Sequence, residues 1–270
     1  MVLKMDNRPI GFFDSGLGGL MSVQELHEKL PNEKVLYFGD TARTPYGSKS
    51  PETIKEFAGQ IVDYLVSKDV KLIIIACNTV TAMALDSLRE KYPNVPIYGV
   101  IGPTVRKVVD DGCEKVGIIA TKATIASDVY AKKLSELKPS IKTYSLACPA
   151  IVPLIEEGFT DTEIMEKTVQ FYLDDFVKGN DFDNLILGCT HYPLIAKHIS
   201  KLYPELNLYS SAAEVVNELA EYLKENDMLA EENDFNDRYY ASDLSDNFLA
   251  MTDLLFSDRN SKIKLVKFEN

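Results

Sequence analysis

Short apolar runs rich in β-branched residues recur along this chain, and each is followed by a longer stretch with helical periodicity. The runs are PIGFF at 9–13, KVLYF at 34–38, KLIIIA at 71–76, PIYGV at 96–100, KVGIIA at 115–120, IKTYSLA at 141–147 and NLILG at 184–188. Near-continuous apolar character, rather than alternation, suits a strand buried on both faces, with helices covering each face. The stretch 50–68 shows the helical partner. Ser50 can cap it, Pro51 fits the first turn, and Ile54, Phe57, Ala58, Ile61, Val62 and Leu65 repeat at helical spacing. The expected fold is α/β with mainly parallel sheets.

Two echoes divide the chain into similar halves. LIIIACNTVTA at 72–82 and NLILGCTHYPL at 184–194 each run from an apolar strand through a small residue and a cysteine into a helix start. IGFFDSGLGG at 10–19 is echoed by VGIIATKATI at 116–125. A length of 270 residues accommodates two domains of ordinary size. GVIGP near 99–102 and ELNLYSS near 205–210 mark the expected boundaries. Residues 1–99 with 208–270 then form a discontinuous first domain, and 100–207 the second. In the tail, 208–222 reads as strand then helix, 224–237 as an acidic loop, 238–242 as a strand and 245–256 as a helix.

Charge and composition narrow the function. Lys and Arg number 29 against 41 Asp and Glu, a formal charge of -12 whose field repels nucleic acid and anionic lipid. Residues 1–8 are polar with no apolar segment behind them, and no later run is long enough to cross a bilayer. The expectation is a cytoplasmic protein with neither a nucleic-acid nor a membrane partner. Cys77, Cys113, Cys148 and Cys189 are too widely spaced for a disulfide framework or a metal knuckle, so no metal is expected. Only three histidines are present, which moves cysteine and carboxylate chemistry forward.

Polar signatures follow three of the strands, DSGLGG, ACNTVTA and GCTHYPL, and open parallel sheets bind ligands at that end. Cys77 and Cys189 each sit between a buried strand and a helix start, where first-turn amides lower a thiol pKa; a small apolar residue is equally at home there. Two thiols in equivalent settings can face each other across a cleft and serve opposite faces of one substrate, which suits inversion at carbon. A single-nucleophile hydrolase is less natural with matched thiols, and a disulfide between them is disfavoured in a reducing compartment.

The neighbours of these thiols have double readings. Asp14 can cap a helix or manage a proton beside the nearer thiol, with Ser15 next to it. The GLGG turn lacks both the GxGxxG register and the GK[ST] ending, so a nucleotide cofactor is not expected. His191 can tune Cys189 or simply satisfy a local hydrogen bond. Asn78, Thr79 and Thr190 can grip a carboxylate or cap helices. Tyr46 and Gly47, in the turn ARTPYGSK, offer a wall and a backbone donor, and Glu156 is either an ammonium sensor or a surface acid. Cys113, in the charged turn DDGCEK, and Cys148, just before Pro149, are set aside as inert.

Taken together, DSGLGG at 14–19, YFGDTARTPYG at 37–47, ACNTVTA at 76–82, IATKAT at 119–124 and GCTHYPL at 188–194 resemble the glutamate racemases over nearly the whole chain. That resemblance implies two pseudo-symmetric three-layer αβα domains with the active site in the cleft between them. It implies racemization of glutamate with no cofactor and no metal, supplying D-glutamate for peptidoglycan precursors. Cys77 matches the base that takes the α-proton of D-glutamate and Cys189 the base for L-glutamate. Asp14 and His191 match their auxiliaries, and Glu156 a further acid. Ser15, Tyr46, Gly47, Asn78, Thr79, Thr121 and Thr190 match substrate-contacting positions, with Thr124 as support.

A homodimer is compatible with the resemblance, whose members differ in assembly. Nine residues precede Ile10, so control through an N-terminal extension is not expected. Because a thiolate is a modest base, the pocket is expected to be closed and anion-favouring, with local amides as its donors. Three rivals stand beside this reading: a racemase of aspartate or another small acidic amino acid, a cysteine amidohydrolase, and a non-catalytic binding protein.

Overall fold

A computed structural model of the chain describes residues 5–231, 237–256 and 262–268. Ten strands lie in it: β1 (Ile10–Asp14), β2 (Val35–Gly39), β3 (Leu72–Ile75), β4 (Ile97–Gly99), β5 (Lys115–Ala120), β6 (Lys142–Ala147), β7 (Asn184–Gly188), β8 (Asn207–Ser210), β9 (Arg238–Ala241) and β10 (Lys262–Leu265). They form a six-stranded sheet, β10-β9-β2-β1-β3-β4, and a four-stranded sheet, β6-β5-β7-β8. Every pairing is parallel.

The order β2-β1-β3-β4 in one sheet repeats as β6-β5-β7-β8 in the other. In each half the first strand is interior, and the third strand runs directly toward a cysteine. The two sequence echoes thus fall on structurally equivalent strands, β1 with β5 and β3 with β7.

Alternate strand residues feed different layers. Ile10, Phe12 and Ile74 of the first sheet and Val116, Ile118 and Ile186 of the second point into one shared core, with Val105 and Val108 of the helix Ile101–Asp110 and Val215 and Leu219 of the helix Ser211–Glu225. Phe13, Ile73 and Ile75 face outward onto Ile54, Ala58, Ile61 and Leu65 of the helix Pro51–Val66. Ile119, Leu185 and Leu187 face Val169 and Leu173 of the helix Glu163–Gly179. Each sheet is therefore covered on both faces, the αβα layering expected from the near-continuous apolar runs. Each such Ile or Leu removed from water contributes roughly 1.5–3 kcal/mol. The helix Pro51–Val66 begins as expected: Ser50 Oγ accepts from the Thr53 N–H at 3.3 Å, and Pro51 occupies the first turn.

One reading of the tail needs correction, and one strand is new. Residues 208–210, expected in the first domain, belong to β8, which pairs with β7, Leu208 opposite Leu185, so they complete the second sheet. The short β-branched-poor run NLYS carries no sign of its partner, and only the crossover through the helix Ala196–Leu202 decides it. The last strand, β10, was not anticipated. Lys-Ile-Lys-Leu alternates and occupies a sheet edge, where a strand needs only one apolar face. The strand β9 pairs with β2. Of the acidic stretch 224–237, residues 232–236 lie outside the described residues. Among the described residues no helix is long and apolar enough to cross a membrane.

Candidate active site

The carboxyl ends of the two sheets face each other, and between them lies a cavity of about 160 Å³ whose walls include both Cys77 and Cys189. Ten residues singled out from sequence line it: Ser15, Tyr46, Gly47, Cys77, Asn78, Thr79, Thr121, Cys189, Thr190 and His191. Asp14 and Glu156 stand behind this wall, each in contact with a lining residue. All four cysteines are free thiols.

Cys77 follows β3 and occupies the N-cap of the helix Asn78–Lys91. Its Sγ lies 3.5 Å from Ser15 Oγ, which in turn donates to Asp14 Oδ1 at 3.0 Å. The helix-start setting was expected to lower this thiol's pKa. Instead burial, followed by the charge of Asp14, pushes it well above the ordinary value, and the Ser15 hydroxyl and Val80 N–H, which favour a thiolate, do not outweigh them. Asp14 is not a helix cap: the N-cap of the helix Leu20–Lys29 is Gly19, without a side-chain bond. Its carboxylate ends β1, is buried, and accepts from Thr190 Oγ1 of the other half at 2.9 Å.

Cys189 has a different setting. It follows β7, but a 3₁₀ turn, Tyr192–Ile195, comes next instead of a regular α-helix start. Its companion is His191, whose Nδ1 is 3.9 Å from the Cys189 sulfur and whose Nε2 is 3.2 Å from Glu156 Oε1. Burial opposes an imidazolium here. The hydrogen bonds to Cys189 and Glu156, with the charges of Cys189 and Asp14, overcome it and raise the His191 pKa to about 10. Glu156 is thus bound to the site rather than loose on a helix surface.

The walls are pinned across the halves. Asn78 accepts from Tyr130 Oη at 2.6 Å and donates to Ser211 Oγ at 3.0 Å, which fixes the orientation of its amide. Thr79, Thr121 and Thr124 hydroxyls form a triangle with sides of 3.0, 3.1 and 3.2 Å. Thr121 also caps the helix Lys122–Ser127. Tyr46 is buried with its hydroxyl on Asp40, a carboxylate that Arg43 at 2.7 Å and Ser242 at 2.7 Å also hold.

Two glycines allow close approach between the halves. A Cβ on Gly18 would stand 2.6 Å from His191 Nδ1, and one on Gly47 would stand 2.8 Å from Thr121 Cβ. Only glycine lets these two turns of the first half touch the second.

Sequence reasoning missed several wall residues. Cys148, set aside with Cys113, lines the cavity because β6 ends at the same edge as β5 and β7; burial and Cys189 push its thiol up to about 12. Thr44, Val152, Pro153 and Lys122 also line it. Position in a turn after a strand was the available signal for Cys148 and Lys122. Cys113 lies away from the cavity, its sulfur 3.2 Å from Tyr209 Oη.

With this geometry in place, comparison with known proteins gives a consistent result. The sequence model of the family described as Asp/Glu/Hydantoin racemase matches residues 21–219. A glutamate racemase of Geobacter metallireducens is 39% identical over 267 residues, covering 97% of this chain and 97% of the relative. The crystal structure of glutamate racemase from Francisella tularensis, in complex with D-glutamate, superposes with a TM-score of 0.90 at 40% identity, covering 97% of this chain and 98% of that one. Glutamate racemase isoform RacE1 from Bacillus anthracis gives a TM-score of 0.92 at 34% identity over the same shares. The chain belongs to the Asp/Glu/Hydantoin racemase family, on its glutamate racemase branch.

Proposed function

We propose that this protein interconverts L-glutamate and D-glutamate by proton transfer at the α-carbon, with Cys77 and Cys189 acting on opposite faces and without a cofactor or a metal. One observation carries the reading: two cysteines at equivalent strand ends of two pseudo-symmetric halves line a single cavity. In each direction one thiolate removes the α-proton while the opposing thiol delivers another, so the configuration inverts.

The surroundings divide the labour. The raised pKa of Cys77 keeps it a thiol, the proton donor, when substrate arrives. The imidazolium of His191 beside Cys189 offers positive charge where a thiolate must act as base. In the L-glutamate direction Cys189 removes the α-proton and Cys77 is the donor. Asp14, through Ser15, supports the reverse step at Cys77. Carboxylate recognition falls to Ser15, Asn78, Thr79, Thr121 and Thr190, with Tyr46 and Gly47 closing one wall. Donors held in place before reaction stabilise negative charge developing at the α-carbon and carboxylate. The product, D-glutamate, supplies peptidoglycan precursor synthesis in the cytoplasm.

The test is to incubate the purified protein with L-glutamate, with no added cofactor, and follow optical activity. Loss of rotation toward zero is expected, and a constant rotation would overturn the proposal. Aspartate, one methylene shorter, run in parallel addresses the nearest rival, since one methylene is worth about 1–3 kcal/mol in a fitted pocket. A product of changed mass would indicate amide hydrolysis instead.

A further inference from the structure

The protein is strongly acidic, yet the lining of its cavity is not. Among the described residues the walls contain two basic side chains, His191 and Lys122, and no aspartate or glutamate. His191 is buried at the inner wall, whereas Lys122 is exposed at the mouth. The ammonium of Lys122 has no ion-pair partner among the described residues, although many other surface lysines here, such as Lys107 and Lys115, are paired. Its backbone position is set on both sides: Thr121 caps the helix it opens, and Gly47 brings the opposite turn against Thr121.

We propose that Lys122 is a substrate-capturing residue, drawing an anionic amino acid into the cavity against the repulsive field of the molecule and holding its distal carboxylate at the entrance. This rests on reading the cavity as the glutamate site and adds a residue to it. Glutamate carries two carboxylates and one ammonium, so it approaches as an anion toward a molecule with a formal charge of -12. A free cation at the mouth reverses the sign of the field where it counts, and solvent screening limits its reach to about 10 Å at 0.1 M salt. The amides and hydroxyls deeper in the cavity then take over. Acting on the distal carboxylate and not on the thiols, Lys122 lowers KM and leaves proton transfer untouched.

Steady-state kinetics in both directions, at several salt concentrations, test this on the 270-residue chain. Lys122→Ala is expected to raise KM about fivefold, the effect of one unit charge near contact distance in water, with kcat changed less than about twofold. Lys122→Glu should raise KM about 25-fold, and Lys122→Arg should restore it to within about twofold. The wild-type kcat/KM should fall with rising salt, and Lys122→Ala should flatten that dependence. Wild-type turnover with an unchanged KM and salt slope in Lys122→Ala and Lys122→Glu overturns the role of Lys122 alone. A loss of kcat at constant KM also overturns it. Absence of turnover in the wild type overturns the functional reading and the Lys122 role together.

Discussion

Cys77 and Asp14 are joined through one hydroxyl: Ser15 Oγ donates to Asp14 Oδ1 at 3.0 Å and lies 3.5 Å from Cys77 Sγ. Burial and the Asp14 charge hold this thiol neutral against the Ser15 contact, which favours a thiolate. Cys189 has the opposite company, an imidazole whose pKa is raised to about 10. The two halves share a fold, yet one thiol is placed beside negative charge and the other beside positive charge.

Asp14→Asn removes the carboxylate that burial acts alongside in raising Cys77. The titration of Cys77 should move to lower pH, read as the pH midpoint of alkylation of its peptide by mass spectrometry. Turnover should fall by about 10²-fold or more, as loss of an acid–base auxiliary does. A midpoint that stays or rises contradicts the assignment.

His191 gives a pH dependence of defined sign. Its folded pKa, about 10, lies above the ordinary 6.5. Its stabilising contribution is therefore complete below about pH 6.5 and is lost as pH rises through about 10. Thermal melting across that range should show wild type converging on His191→Asn at the alkaline end. Parallel curves at all pH values contradict the imidazolium.

Gly18→Ala tests the contact between the halves. The added Cβ would lie 2.6 Å from His191 Nδ1, so either the turn or the imidazole must shift. A displacement near 1 Å at a reacting group costs about 10²-fold in rate. Overpacking costs about 1–3 kcal/mol of stability. Turnover should drop far more than the melting temperature, and unchanged turnover contradicts the contact.

At the opposite end of the first sheet, Lys71 Nζ is 2.6 Å from Glu33 Oε2, both side chains buried, and it also donates to the carbonyls of Asp6 and Met228. Lys71→Met strands a buried carboxylate and should cost about 3–5 kcal/mol in urea unfolding. Because the pair is remote from the cavity, KM and kcat of the folded protein should stay within about twofold of wild type. Equal stability contradicts the account of the pair.

Much of this was legible in the sequence because parallel strands covered on both faces announce themselves as apolar runs, and the turns after them hold the chemistry. Cys77, Cys189 and the residues beside them could be found on that basis. Pairing between distant segments could not: nothing local joins Thr190 to Asp14, or tells that Leu208 lies opposite Leu185. The alternating edge strand β10 looks like surface, as does Lys122, whose exposure hides its place at the cavity mouth. The direction of the Cys77 shift was also hidden, since a helix start argues downward and only the surrounding packing shows that burial and Asp14 win.

The central claim is that two opposed thiols, not one, exchange the α-proton. It is tested most directly by early-time turnover of each enantiomer separately in deuterated water, with product and remaining substrate resolved and weighed for α-deuterium. Two bases predict deuterium in the product and hydrogen retained in the remaining substrate, in both directions, because the donor thiol carries solvent-derived hydrogen. Product that keeps the substrate's own α-hydrogen, or deuterium entering the starting enantiomer as fast as product forms, would contradict it.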